Sequence, residues 1–112
     1  MILNNPQKPI SQKELLTNQQ KFERIMGITF DDDFYNSRKR ATVDQKRIIT
    51  LLLYQKWDYE SIGKLLGRGR CVIYHYVDTG RMLLMWDHIF NRKFKDIEIQ
   101  FTQQLNLFDH EN

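Results

Sequence analysis

Cysteine is nearly absent. Cys71 is alone among 112 residues, which excludes an internal disulfide and fits a reducing, cytoplasmic setting. No apolar run approaches the ~18 residues a membrane span needs, so IITLLLY and MLLMW read as core, and no membrane partner is expected. The start, MILNNPQKP, lacks the apolar stretch of a signal peptide. Strand-like alternation, internal repeats and low-complexity tracts are missing as well. A catalytic constellation is also lacking: Ser11, Ser37 and Ser61 have no base partner or nucleophile-elbow context. Most carboxylates fall at predicted helix starts, where capping and the helix dipole explain them. The adjacent Asp31, Asp32 and Asp33 would not converge on one metal. Cys71 and His75 stand one turn apart but lack two further ligands, His88 and His110 being isolated in sequence. The expectation is a soluble protein that is not an enzyme, with no metal and no cofactor.

What is present is positive charge in one place. The net charge is only +3. Residues 36–95 hold 13 Lys/Arg against 5 Asp/Glu, a net of +8. Residues 1–35 net −1 and residues 96–112 net −4. A basic middle between acidic flanks implies a face for a polyanion; a solvated surface with chance asymmetry is the plainer alternative.

The apolar pattern is helical throughout. Residues 1–10 carry both prolines and read as a flexible tail, and residues 109–112 as another. Residues 11–108 form one domain. Ser11 with Glu14 predicts a capped helix that carries Leu15, Phe22 and Met26 to Gly27. Asp31–Asp33 suit the first turn of a short helix anchored by Phe34. After a polar loop, Thr42 and Gln45 suggest a second capping box, starting a helix from about Val43 to Gln55 that buries Ile48, Ile49 and Leu52. Trp57 reads as core. A long helix from about Arg70 to Phe90 would bury Ile73, Val77, Gly80 and Leu84, continuing through Met85, Ile89 and Phe90, with Trp86 also counted as core. Gly80 would mark a close helix crossing or a break. Asn91–Lys93 reads as a turn, and a last helix, about Phe94 to Phe108, places Ile97, Phe101, Leu105 and Phe108 on one side. The fold class is all-α: a compact domain of five to six helices.

The centre of that domain is Tyr59–Asp78, YESIGKLLGRGRCVIYHYVD. Asp58 can cap its first helix. Ile62, Leu65 and Leu66 share one face, and Gly63 allows close approach. Gly67 and Gly69 bracket Arg68 in a tight turn needing φ > 0, and Ile73 and Tyr76 point back inward. This is helix-turn-helix spacing.

The stretch IGKLLGRGRCVIYHYV, residues 62–77, resembles the hallmark IGxxFGGRDHTTVLHA of the C-terminal DNA-binding domain of the bacterial replication initiator DnaA, a Trp-repressor-like helix-turn-helix. Ile62, Gly63, Gly67, Arg68 and His75 match in kind, Ile73 replaces a valine, and the turn is one residue shorter. Upstream, GITFDDDFYNSRKR, residues 27–40, looks like the segment that carries the family's basic loop. Asp96 to Phe101 resembles its closing helix. The likeness spans about residues 21–105, with no room before Lys21 for a nucleotide-binding module and no GxxxxGK[ST] loop. It implies a stand-alone DNA-reading domain. The family's Asp-His-Thr reading triplet falls on Gly69, Arg70 and Cys71, so the usual target site of the family is not expected.

These readings assign roles. Arg70, Cys71, Tyr74 and His75 face the major groove, with Arg70 suited to bidentate contact with guanine. Tyr74 and His75 could equally pack within the domain. Arg38, Lys39 and Arg40 form a loop for the minor groove, or a generic basic linker. Lys46, Arg47, Lys64 and Arg68 suit phosphates. The expected function is sequence-preferring binding of duplex DNA, regulating replication or transcription and associated with the nucleoid when bound. The alternative is a protein–protein adaptor that keeps the fold; RNA binding has little support. A protein partner or homodimer stays open.

Overall fold

A computed structural model describes the backbone of residues 9–111 and the side chains of residues 9–103. Six helices follow one another: α1 Gln12–Met26, α2 Asp32–Asn36, α3 Arg40–Leu53, α4 Tyr59–Leu66, α5 Arg70–Trp86 and α6 His88–Glu111. No strand occurs among the described residues, so the all-α expectation holds. The predicted tail at residues 1–8 lies outside the described residues. Ile10 is tied down, its N–H donating to Ser61 Oγ at 3.3 Å. The side chains of the predicted tail at residues 109–112 are also outside them, although the α6 backbone continues to Glu111.

Local chemistry sets most boundaries. Ser11 Oγ accepts from the Glu14 N–H at 3.1 Å and starts α1, which ends at Gly27 in the left-handed region, φ 66°. Asp31 caps α2 through the Phe34 N–H, and Asp58 caps α4 through the Ser61 N–H. Each cap satisfies a backbone donor that the first turn of a helix leaves open. The Thr42–Gln45 capping box does not exist. The helix starts three residues earlier, at Arg40, behind Lys39 with no side-chain cap, and places Thr42 inside its first turn.

The other displaced boundary is between the last two helices. The predicted turn at Asn91–Lys93 is helix. The break falls at Asp87, whose Oδ1 accepts from both Ile89 and Phe90 N–H at 3.0 Å and so starts α6. The inward stripe of α5 is Ile73, Tyr76, Val77 and Gly80. Met85, Trp86 and Ile89, expected inside, are 75%, 78% and 70% exposed. Met85 and Trp86 lie on the outer side of α5, and the restart at Asp87 resets the phase so that Phe90 alone turns in.

The main core joins every helix. Phe22 of α1 stacks on Phe101 of α6, centroids 4.9 Å apart and rings nearly parallel. Phe30, Phe34, Trp57, Ile62, Leu65, Leu66, Ile73 and Val77 complete it. A smaller cluster of Ile48, Leu51 and Phe90 seats α6 on α3. Helix α5 crosses α3 at Gly80, where a Cβ would lie 3.0 Å from a Leu51 methyl. Gly80 is thus a close crossing, and α5 continues unbroken through it.

Candidate nucleic-acid interface

Helices α4 and α5 with the turn Gly67–Gly69 form the predicted helix-turn-helix. Its tightness rests on two glycines. Gly67 is left-handed, φ 65°, and its N–H returns to the Gly63 carbonyl; the Arg68 N–H reaches the same carbonyl at 2.9 Å. The Arg68 bond is the six-to-one bond and the Gly67 bond the five-to-one bond of a glycine C-cap, both closing α4 on one carbonyl. At Gly63 a Cβ would sit 2.3 Å from the Arg68 carbonyl oxygen. Gly69 differs from the expectation: its φ is −76°, in the extended region, and open space surrounds its missing side chain. It is the N-cap of α5 without supplying a side-chain acceptor.

The first turns of α5 stand clear of the core. Arg70, Cys71, Tyr74 and His75 are all exposed and share one face. Among the described residues Arg70 meets only Glu60, at 3.8 Å and with both side chains more than 60% exposed, a pairing of little strength in water. Cys71 is a free thiol. Lys64 is exposed on α4. No group of three His, Cys, Asp or Glu able to hold a metal occurs among the described residues.

The basic segment before α3 is built differently from its sequence. Arg38 and Lys39 are exposed, with no side-chain partner among the described residues. They line an open groove of about 780 Å³ together with Asp31, Asp32 and Asp33. Arg40 is held: its Nε donates to Asp44 and its Nη2 to Asp87 at 3.2 Å. Arg47 is also held, by Asp44 at 2.8 Å and Thr79 Oγ1 at 3.2 Å. Asp44, only 12% exposed at its side chain, is therefore shared by two arginines, and the cluster ties α3 to α5 and to the start of α6.

Lys46 leaves the set of phosphate contacts. Its side chain is fully buried, with Nζ donating to the Tyr35 carbonyl at 3.1 Å and lying 5.2 Å from the Phe34 ring centroid. Burial first, then the neighbouring Arg68 guanidinium, pulls its pKa below the usual lysine value. Arg68, half-buried in the turn, donates through Nη2 to the same Tyr35 carbonyl. The Tyr35 ring in turn lies against Gly67, where a Cβ would come within 2.9 Å of it. Burial, then the Glu23 and Asp31 carboxylates, push the Tyr35 phenol up, so it stays neutral.

Tyr35 is the residue that sequence reasoning missed. It connects α2, the buried Lys46 and the helix-turn-helix turn, and the polar loop that carries Arg38 and Lys39 begins two residues after it. The only signal in the sequence was Gly67, which asks what approaches a residue with no side chain. Asp44 was missed for another reason: a lone carboxylate among Arg40, Lys46 and Arg47 passes for charge balance. The geometry thus groups Arg70, Cys71, Tyr74 and His75 on one exposed face and roots Arg38 and Lys39 beside the turn that starts it. Lys46 and Arg47 are taken up inside, and Arg40 is engaged at the surface by Asp44 and Asp87. No family model, curated protein or solved structure matches the chain.

Proposed function

We propose that this chain is a duplex-DNA-binding protein of the type that its resemblance to the DnaA C-terminal domain implies. The observation that carries this reading is the exposed first half of α5, projecting from a tight helix-turn-helix with a rooted basic loop beside it. In this arrangement α5 enters the major groove, where Arg70 meets a guanine edge and Tyr74 and His75 lie one turn further along. Arg38 and Lys39 approach the adjacent minor groove, and Lys64 and the free part of Arg68 meet phosphates. Regulation of replication or transcription is the matching role.

Selection from a pool of random duplexes followed by sequencing tests the reading. The expected result is an enriched motif and an affinity that falls steeply with salt. A pool with no enrichment and no salt dependence would sink it. Arg70→Ala should relax preference at one position, at a cost of about 1–3 kcal/mol, while Lys64→Ala should weaken all duplexes alike.

One observation favours a protein–protein adaptor as a second reading. Met82, Met85, Trp86 and Ile89 are 52–78% exposed and gather on either side of the Asp87 break between α5 and α6. Exposed apolar groups gathered in one stretch mark interaction surfaces. Recovery of one stoichiometric partner from nuclease-treated lysate, with no duplex motif enriched, would select this reading over the first.

A further inference from the structure

The inward side chains of α6 described by the structure are Phe90, Phe94, Ile97 and Phe101, spaced by four, three and four residues. Continuing that rhythm through the sequence uses Leu105 and Phe108. It leaves Leu107 off the stripe and gives Gln104 no role. The run Gln104-Leu105-Asn106-Leu107-Phe108 has a second pattern laid over the first. Leu105 and Leu107 stand two residues apart, the spacing that puts side chains on one side of an extended peptide. Phe108 adds an aromatic anchor, the kind of group that dominates small interfaces. Gln104 brings an amide able both to donate and to accept. A glutamine, two leucines in alternation and a closing phenylalanine together suit a preformed cleft with an apolar floor and a hydrogen-bonding lip.

Charge points to a protein as the occupant's owner. Residues 96–112 carry four Asp/Glu and no Lys/Arg, with Asp109 and Glu111 directly after the run. Such a segment repels phosphate, so it does not extend the DNA face. The α6 backbone is helical to Glu111, and extended docking takes its last turns out of the helix. Final helical turns open at the lowest local cost in a fold.

We infer that residues 104–108 are a docking peptide for a protein with an apolar cleft and polar lip, of the kind carried by the ring-shaped sliding clamps of DNA replication. The inference does not rest on base reading by α5. If both hold, one small domain brings the ring to a chosen duplex site.

The test titrates the purified full chain against a purified bacterial sliding clamp by surface plasmon resonance, with free Gln-Leu-Asn-Leu-Phe peptide as competitor. Saturable binding that the peptide displaces is expected. Leu107→Ala, the variant off the helical stripe, should weaken it at least ~10-fold, or about 1.4 kcal/mol, with an unchanged melting temperature and unchanged duplex binding. Phe108→Ala should weaken it at least as much. Absence of saturable binding overturns the inference, as does binding that the peptide leaves in place or that survives both substitutions. Should either variant melt early, the isolated peptide decides: direct binding of the peptide to the clamp supports the inference, and no binding overturns it.

Discussion

Arg38 and Lys39 can be set against Arg40, Lys46 and Arg47, five cations within ten residues. The first two extend into solvent with no partner among the described residues. The other three are structural: Arg40 and Arg47 share Asp44, and Lys46 is buried on the Tyr35 carbonyl. Nothing in residue type separates the groups. What separates them is whether a helix carries the side chain towards an acceptor. From Arg40 onward the chain is helical, and positions 40, 44 and 47 come onto one side at steps of four and three. Charge counted along a sequence therefore overstates the charge a ligand meets.

The comparison can be broken most easily at Lys46. Lys46→Ala removes a buried side chain and its charge-assisted hydrogen bond, and is expected to cost about 2–4 kcal/mol in thermal or denaturant unfolding. A cost below ~0.5 kcal/mol would mean that Lys46 behaves as a surface cation after all. Next in size is Asp44→Ala, which leaves the largely covered Arg47 without its carboxylate; about 1–3 kcal/mol should be lost. Asp87 gives a pH signature. Its hydrogen bond from the Phe90 N–H, and after it that from Ile89 and the Arg40 guanidinium, outweigh burial and hold its carboxyl below the ordinary 3.8. A carboxylate depressed in the folded state adds stability that is full above its unfolded value and lost as pH falls through the folded one. The melting temperature should fall more steeply below pH 3.8 in the parent than in Asp87→Asn, and parallel curves would remove the cap from the account. The smallest effect on stability belongs to Arg38→Ala, within ~0.5 kcal/mol of the parent. On duplex DNA the same change should lower the slope of log affinity against log salt by about 0.9. If Arg38→Ala and Arg40→Ala changed stability and salt slope alike, the division into two groups would be wrong.

Much of the fold is legible in the chain because its caps are side chains with one obvious task. Ser11, Asp31 and Asp58 each accept from the N–H three residues on, and Gly27 and Gly67 take the left-handed turns that end α1 and α4. The misplaced boundaries have equally specific causes. Thr42 and Gln45 satisfy a capping pattern that also occurs inside helices. Asp87 caps α6 from within an apolar run, MLLMWDHIF, that reads as uninterrupted. The exposed face of α5 was legible from periodicity, since Ile73, Tyr76 and Val77 fix the opposite side. The inward course of Lys46 was not, because a lysine in line with Ile49 and Leu53 is read as a stem lying along the surface. The Tyr35 carbonyl and the Phe34 ring, both brought up by α2, make burial of its ammonium tolerable.

That shared carbonyl also bears on how fast and how tightly the basic loop can engage a ligand. Lys46 and Arg68 fix Tyr35 before any ligand arrives, so the loop is free to reorganise only between Asn36 and Arg40. Even if binding froze every backbone torsion of Ser37, Arg38 and Lys39, the entropic penalty would be about 1–2 kcal/mol for each of three residues. A loop hinged further back, at Gly27, would freeze a segment several times longer. The anchor thus acts as preorganisation, trading flexibility in the free protein for a longer residence time on the ligand.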